Sequence, residues 1–250
     1  MKIVLVSDLH LVAPGERLFG LDPLARLEDC IADINRNHAD AELVVLSGDL
    51  THDGTPAAYA ALADRLGRLA PPHRMMIGNH DDRANFVSAF PDAPRDGGFV
   101  QSAADFGGWR TVFLDTHEPG RVDGRLCEAR LGWLDAALAD GRPALLFLHH
   151  PPFAIGIPSL DDCRLAEPER LLALIRRRGN VRHVFAGHVH RLAGGSWGGI
   201  PFTTVRGTSH QSALKFDGPY EVSFEPPSYA VVLAQGGDIV VHAHEFALRA

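Results

Sequence analysis

Residues 181–190, Val-Arg-His-Val-Phe-Ala-Gly-His-Val-His, join a mostly apolar run to a glycine and two histidines. Valine and phenylalanine dominate the run, which favours a strand. Comparable apolar runs recur along the chain: Ile3 to Val6, Leu43 to Leu46, Met75 to Ile77, Val112 to Leu114 and Leu145 to Leu148. Because their apolarity is continuous rather than alternating, we expect strands that are buried on both faces.

Helical patterns lie between these runs. A residue suited to the N-cap, followed by proline at the first helical position, precedes apolar residues at helical spacing. Two helices are predicted on this pattern, after Asp22-Pro23 and after Thr55-Pro56. Two later helices are predicted from apolar spacing, one through Leu131 to Leu138 and one after Glu167-Pro168. Strands that alternate with helices of this length predict a layered α/β fold.

The C-terminal part is predicted to be mostly β. After Gly207, proline and glycine interrupt the chain, and residues 229–234 and 239–244 resemble two strands around a Gly236-Gly237 turn. The chain has no internal repeat and no long linker. We therefore expect a single domain over residues 1–250, in which the β-rich segment from about 208 to 250 completes a sheet or forms an oligomer interface.

The composition excludes some classes of partner. The 250 residues include 31 Asp and Glu against 24 Lys and Arg, which gives a formal net charge of −7. A chain with this acidic balance is a poor ligand for long nucleic acids, which require a basic surface. The 14 histidines are unusual for this size and suggest metal or proton chemistry.

The three cysteines, Cys30, Cys127 and Cys163, are far apart and form no Cys-x-x-Cys pair. Disulfides and thiolate zinc sites are therefore not expected. The apolar run at the N-terminus is too short for a signal peptide, and no stretch reaches the roughly 18 to 20 apolar residues of a membrane span. We expect a cytoplasmic protein that does not bind membranes.

Residues that can bind metals follow five of the apolar runs. They are Asp8, His10, Asp49, Asn79, His149, His188 and His190. Open α/β sheets place their sites at these carboxyl ends. In an extended chain residues i and i+2 point to the same side, so positions 8 and 10, and positions 188 and 190, are each expected to converge on one point.

Two Asp, one Asn and four His are too many ligands for a single tetrahedral ion. They predict two divalent ions about 3.5 to 4 Å apart that share one carboxylate. Oxygen and imidazole donors favour Mn, Fe or Zn over Ca. Gly48, Gly78 and Gly187 stand just before ligands, where the missing Cβ permits close approach of the backbone.

The order of these motifs resembles the calcineurin-like metallophosphoesterase superfamily. The resemblance covers residues 3 to about 210, and the motifs are Asp8-x-His10, Gly48-Asp49, Gly78-Asn79-His80-Asp81, His149 and Gly187-His188-x-His190. The residues around these motifs are most similar to those of class III cyclic nucleotide phosphodiesterases and glycerophosphodiesterases. The resemblance implies a four-layer α/β/β/α sandwich of two mixed sheets with helices outside and metals at the sheet edge.

The resemblance also implies a role for each ligand. Asp8, His10, Asp49 and His190 would bind the first metal ion, and Asp49, Asn79, His149 and His188 would bind the second. A hydroxide that bridges the two ions would attack phosphorus, and His80 would stabilise or protonate the leaving oxygen.

Other histidines are given weaker roles. Together with Asn79 and His80, His210 is expected to contact the substrate phosphate, and His117 is a candidate for the rim of the pocket. We expect four other histidines to be packed or exposed without a catalytic role: His52, His150, His242 and His244.

The sequence therefore predicts a phosphodiesterase for small substrates such as 3',5'- or 2',3'-cyclic nucleotides or glycerophosphodiesters. The residues after Asp49 lack the Val-Asp-Arg-Gly run of protein phosphatases, and Tyr59 is too distant for the tyrosine ligand of purple acid phosphatases. Two alternatives stay open, a phosphomonoesterase of broad specificity and a catalytically inert interaction scaffold of the same fold. A homo-oligomer, a dimer or larger, is also possible on this sequence.

Overall fold

The computed structural model describes residues 1–249, so the last residue of the predicted domain 1–250 lies outside the described residues. The strands are β1 (Lys2–Val6), β2 (Leu43–Ser47), β3 (His73–Met76), β4 (Ser102–Phe106), β5 (Trp109–Leu114), β6 (Ala144–Leu148), β7 (Val181–Ala186), β8 (Ala193–Trp197), β9 (Ile200–Thr204), β10 (Gln211–Ser212), β11 (Val222–Ser223), β12 (Ser228–Gln235) and β13 (Asp238–Glu245). The helices are α1 (Pro23–Asn37), α2 (Pro56–Leu66), α3 (Arg83–Ala89), α4 (Glu128–Ala137), α5 (Pro158–Asp161) and α6 (Pro168–Arg178).

Two mixed sheets form the centre of the fold. The first has the strand order β13-β12-β1-β2-β3, in which β1, β2 and β3 are parallel. The second has the order β4-β5-β6-β7-β9-β8, in which the neighbouring strands β5, β6, β7 and β9 are parallel. Antiparallel strands complete the edges of both sheets, and β10 pairs with β11 separately.

Three apolar layers separate the sheets and helices. Ile3 and Leu5 of β1 pack toward Phe147 of the second sheet. The alternate residues Val4 and Val6 of β1 belong to the layer beneath the helices of the first sheet. A third layer packs α4 and α6 against the second sheet. Both faces of the central strands are therefore covered, which explains their continuous apolarity and confirms the predicted α/β/β/α sandwich.

The predicted helix starts are confirmed. Asp22 Oδ1 accepts the backbone N–H of Ala25 at 3.0 Å, and α1 begins at the next residue, proline. Thr55 Oγ1 accepts the N–H of Ala58 in the same way before α2. Proline at the first helical position has no N–H to leave unpaired, so each pair fixes the direction in which its helix begins.

The predicted strands of the C-terminal part are also present. β12 pairs antiparallel with β1, with Ile3 opposite Val232, and β13 follows at the edge of the same sheet. The sequence did not predict β4 or β8. Both are edge strands with exposed residues, and β8 contains two glycines, so neither has the apolar run by which the central strands were identified.

Within residues 1–249, no helix is both long enough and apolar enough to cross a membrane. Cys30, Cys127 and Cys163 are all free thiols in this part of the chain.

One strand contains a buried histidine outside the ligand motifs. The ring of His183 on β7 stacks on Phe185 with centroids 4.3 Å apart, and its Nε2 is 2.9 Å from Thr203 Oγ1. Burial lowers the pKa of His183 to about 4. The native state therefore holds this imidazole neutral at pH values where an unfolded chain protonates it.

We predict that His183 makes the fold sensitive to acid. Because the pKa is lower in the folded chain than in the unfolded chain, the contribution of His183 is present above pH 6.5 and is lost as the pH falls toward 4. Between pH 7 and 5 this costs about 2 kcal/mol of unfolding free energy. His183→Gln, which keeps a donor for Thr203, should flatten the pH dependence of urea unfolding by that amount. An unchanged pH dependence would refute the assignment.

Candidate metal centre

Seven predicted ligands meet where strands from both sheets end. The first sheet delivers Asp8 and His10 after β1, Asp49 after β2 and Asn79 after β3. The second sheet delivers His149 after β6, and His188 and His190 after β7. Because the strands within each set are parallel, their carboxyl ends lie at one edge of the sandwich.

A first group of ligands surrounds one point. Single donor atoms of Asp8, His10, Asp49 and His190 all lie within 4.8 Å of one another, and all four residues are buried. His10 Nε2 is 2.9 Å from His190 Nε2 and 3.5 Å from Asp49 Oδ2. Two carboxylates and two imidazoles at this separation form a suitable set for one divalent ion.

A second group lies on the other side of Asp49. His149 Nε2 is 3.3 Å from Asp49 Oδ2, and the rings of His149 and His188 are 5.2 Å apart. The same carboxylate oxygen thus faces His10 on one side and His149 on the other. This geometry supports Asp49 as the residue common to the two groups.

Hydrogen bonds outside the centre fix which ring nitrogens are free to bind a metal. His149 Nδ1 donates to the carbonyl of Ser47 at 2.9 Å, and His190 Nδ1 donates to the carbonyl of His210 at 2.8 Å. In the neutral rings Nε2 then carries no proton, and its lone pair is directed into the centre.

Several buried acceptors of the centre have no hydrogen-bond partner among residues 1–249. They are Asp8 Oδ2, Asn79 Oδ1, His149 Nε2 and His188 Nε2. An unpaired buried polar atom is costly, and two adjacent cations would satisfy all four. The residues present therefore fit a pair of divalent ions.

The backbone at the ligands differs from the extended form expected from the sequence. Asp8, His10, Asp49, His188 and His190 all have φ between 45° and 68°, in the left-handed region. His190 lies in the first group and His188 faces His149, so the prediction that these two converge on one point was wrong. Asp8 and His10 do share a group.

Glycines allow the ligand loops to approach closely. A Cβ built on Gly78 would lie 2.2 Å from Asp49 Oδ1 and 2.5 Å from His149 Nε2. A Cβ on Gly48, whose φ is +103°, would lie 2.5 Å from His149 Nδ1. Neither position has room for any side chain, as expected from the sequence.

Asp81 supports the centre without belonging to either group. Its carboxylate accepts the N–H groups of Gly78 at 2.9 Å, Leu50 at 3.1 Å and Thr51 at 3.1 Å, and the hydroxyl of Tyr59 at 2.9 Å. It thereby joins the loop of Asp49 to the loop of Asn79. Asp81 stands within the Gly78-Asn79-His80-Asp81 motif, but the motif alone assigns it no role.

His80 lies beside both groups and is partly exposed. Its backbone N–H donates to Asp49 Oδ1 at 2.9 Å, and its Nδ1 donates to the carbonyl of His52 at 2.8 Å. The His80 ring meets the edge of the His10 ring at 4.7 Å and stacks on His52 at 4.8 Å. Because Nδ1 carries the proton in the neutral ring, Nε2 has none.

His52 is closer to the centre than expected for a histidine without a role there. Its Nδ1 is 3.3 Å from His10 Nδ1, and its ring stacks on His80. The only signal in the sequence was its position three residues after Asp49. His52 thus orients two residues of the centre.

The remaining candidate histidines have different surroundings. The His210 ring lies 4.3 Å from His190 and in edge contact with the exposed Phe19, and burial lowers the pKa of His210 to about 2. His117 is buried, and among the described residues no metal-type cluster includes it. His150 is buried and bonds to Thr116 Oγ1 at 2.8 Å, as expected of a packed histidine.

Burial and the facing carboxylate act in opposite directions on the pKa values of histidines in the centre. Burial lowers the pKa of His188 to about 3. Burial also lowers the pKa of His149, but the facing Asp49 carboxylate outweighs it and raises the pKa to about 9. A metal ion that binds between Asp49 and His149 must displace this proton.

The chain is similar to a known protein family and to relatives with named activities. A family model described as calcineurin-like phosphoesterase matches residues 1–192. A probable cyclic nucleotide phosphodiesterase of Rhodopseudomonas palustris is 44% identical over 254 residues, covering 98% of this chain and 93% of the relative. The glycerophosphodiester phosphodiesterase GpdQ of Enterobacter lignolyticus is 30% identical over 256 residues, covering 99% and 92%.

A solved structure supports the fold. A dimetal phosphatase from Danio rerio superposes with a TM-score of 0.72 at 17% identity, covering 98% of this chain and 96% of that chain.

We predict that Gly78→Ala destroys the centre. The added methyl group would force Asp49 or His149 away from the other ligands, so metal content measured by mass spectrometry should fall to less than about one ion per chain. Gly132→Ala is the matched control, because a Cβ at this exposed position in α4 meets nothing within 4 Å. The control should keep the metal content of the wild type. A fully metallated Gly78→Ala chain would contradict the prediction.

Proposed function

This chain belongs to the calcineurin-like phosphoesterase family, and from that premise we propose that it hydrolyses small phosphodiesters, either cyclic nucleotides or glycerophosphodiesters. The observation that carries the proposal is the position of Asp49 Oδ2 between His10 and His149, because it supports two adjacent cation sites with one shared carboxylate. The named activities of the two relatives favour diesters over monoesters.

The family implies two divalent metal ions, and we propose Mn, Fe or Zn on the basis of the oxygen and imidazole donors. Asp8, His10, Asp49 and His190 would hold the first ion, and Asp49, Asn79, His149 and His188 the second. Bound ions supply Lewis-acid activation of water and neutralise the charge on the phosphoryl oxygens.

We propose that His80 is the catalytic residue that delivers a proton to the leaving oxygen. Its Nδ1–H is held by the carbonyl of His52, so the proton to be transferred would be carried on Nε2. The bond from its N–H to Asp49 Oδ1 ties the position of His80 to the ligand between the two groups. Asn79 and His210 are proposed to contact the substrate phosphate, and His117 to line the rim of the pocket.

We further propose that residues 1–250 act as a single catalytic domain in the cytoplasm, without a nucleic acid polymer or a membrane as partner. A homo-oligomer, a dimer or larger, is favoured by exposed apolar side chains between β10 and β12. Leu214 is 56% exposed, Phe216 68% and Phe224 61%. Light scattering would then give at least twice the chain mass of 27.1 kDa.

The test of the function is metal-dependent turnover. Wild-type protein loaded with Mn, Fe or Zn should contain two ions per chain and hydrolyse bis-p-nitrophenyl phosphate, cyclic nucleotides or glycerophosphodiesters faster than phosphomonoesters. Asp49→Ala should lose both ions and all turnover, whereas the exposed neighbour Asp53→Ala should keep both. Faster monoester hydrolysis would favour the broad-specificity phosphatase. A metal-free wild type without turnover would favour the inert scaffold.

Proton donation by His80 can be tested separately from metal binding. His80→Ala should keep both metal ions and slow kcat for an unactivated diester by roughly 100-fold or more, the usual range for loss of a general acid. For bis-p-nitrophenyl phosphate, whose leaving group needs little protonation, the loss should be smaller. His242→Ala removes an exposed histidine of β13 and serves as control. Equal losses for both substrates would reject proton donation by His80.

A further inference from the structure

The segment Leu18-Phe19-Gly20-Leu21 forms a tight turn in the loop between His10 and α1. The backbone N–H of Leu18 donates to the carbonyl of Leu21 at 3.0 Å, and the N–H of Leu21 donates back to the carbonyl of Leu18 at 2.9 Å. Both central residues have a positive φ, 51° at Phe19 and 78° at Gly20, which is the combination of a type I′ turn. Because Leu18 is buried, the turn is held against the protein.

Phe19 is an unusual residue for its place in this turn. Asparagine, aspartate and glycine are preferred where φ is positive, and a bulky side chain at such a position strains the backbone. Phe19 is nevertheless 50% exposed, so burial in the core does not account for it. Strained residues persist only where the surrounding structure holds them, and they cluster at functional sites. The exposed ring of Phe19 is therefore a candidate for contact with a ligand.

The ring of Phe19 lies close to the candidate metal centre. It is in edge contact with the His210 ring, and the two centroids are 4.8 Å apart. The His210 ring in turn lies 4.3 Å from the ring of His190 and 5.1 Å from the ring of His10. One imidazole ring thus separates Phe19 from the first group of candidate ligands.

Hydrogen bonds fix the loop that carries this imidazole. The carbonyl of His210 accepts the Nδ1–H of His190 at 2.8 Å, and the N–H of Ser209 donates to the carbonyl of Asp8 at 3.2 Å. From the other side, the guanidinium of Arg26 in α1 donates to the carbonyl of Ser209 at 2.6 Å. Candidate ligands and the helix after the turn thus hold the same loop. The distance from Phe19 to the centre is therefore set by the fold.

An exposed aromatic face at this distance suits one of the two substrate classes better than the other. In a cyclic nucleotide, one ribose ring separates the phosphate from a planar base. The glycerol of a glycerophosphodiester is flexible and hydroxylated, and it offers no planar group. Aromatic side chains stack on nucleobases because every base has a π face, and this stacking contributes substantially to affinity. The position of Phe19 therefore favours a substrate with a base.

We propose, given the diesterase function proposed above, that Phe19 stacks on the nucleobase of the substrate and makes cyclic nucleotides the preferred diesters. The phosphate lies at the metal centre, the ribose spans the width of the His210 ring, and the base lies on the exposed face of Phe19. Phe19 contributes binding and takes no part in bond cleavage. Its loss should therefore raise KM for a cyclic nucleotide and leave kcat nearly unchanged.

Kinetics of the metal-loaded chain with two diesters test this specificity. Phe19→Ala should raise KM for 3',5'-cyclic AMP roughly 10-fold, as expected for loss of base–aromatic stacking, and leave KM for glycerophosphoethanolamine nearly unchanged. Phe19→Trp keeps an aromatic face and should keep the KM of the wild type for cyclic AMP. Val240→Ala, a control on β13 where the side chain is 47% exposed, should change neither KM. Equal changes in KM for both diesters in Phe19→Ala would overturn the proposal.

Stability distinguishes a role in recognition from a role in packing. Asparagine tolerates a positive φ, so Phe19→Asn should relieve the strain and raise the urea midpoint of unfolding. The same variant should raise KM for cyclic AMP as Phe19→Ala does, because it lacks the ring. A lower midpoint without a selective rise in KM would assign Phe19 to the packing of the turn and reject stacking.

Binding of the base can also be measured without turnover. Calorimetry on the metal-loaded chain compares adenosine 5'-monophosphate with glycerol 3-phosphate, which share the phosphate group but not the base. The wild type should bind the nucleotide at least about 10-fold more tightly, and Phe19→Ala should remove that difference. A wild type with this preference that hydrolyses neither diester would refute the diesterase function and still support stacking. Equal affinities for the two phosphates would refute stacking, whether or not diesters are hydrolysed.

Discussion

The candidate metal centre depends on one buried carboxylate oxygen that faces an imidazole nitrogen on each of two sides. Asp49 Oδ2 lies 3.5 Å from His10 Nε2 and 3.3 Å from His149 Nε2. Because His149 uses its Nδ1–H on the carbonyl of Ser47, its Nε2 has no proton to offer while the ring is neutral. Only a positive charge between these atoms, either a proton or a metal ion, makes the arrangement stable in a buried environment.

The fold keeps these acceptors together by joining the two sheets at the same edge. Asp8 after β1 accepts the N–H of His188 after β7 at 3.1 Å, so a ligand of one sheet positions a ligand of the other. Each left-handed ligand residue costs roughly 1 to 3 kcal/mol of backbone strain. Hydrogen bonds that the loops donate to the Asp81 carboxylate, together with the apolar layer between the sheets, hold that strained backbone in place.

The parts that could be predicted from the sequence are those with local signals. The central strands are continuous apolar runs, α1 and α2 begin at an N-cap followed by proline, and the ligand types stand directly after strands. The left-handed backbone at His188 could not be predicted, because an i, i+2 pair carries no sign of its φ values. The supporting roles of His52 and Asp81 depend on partners about 30 residues away, which no local pattern records.

The pairing of arginines with acids bears on how this acidic chain can attract an anion. Many of them are paired with acids. Arg177 and Arg178, for example, both bind Asp135, and two arginines hold Asp105. Surface pairs of this kind leave little positive field for an incoming anion. Two divalent ions would instead add a charge of about +4 at one buried edge, so attraction of a phosphodiester to this acidic chain should depend on the occupancy of the metal sites. We therefore expect substrate affinity to rise and fall with metal content.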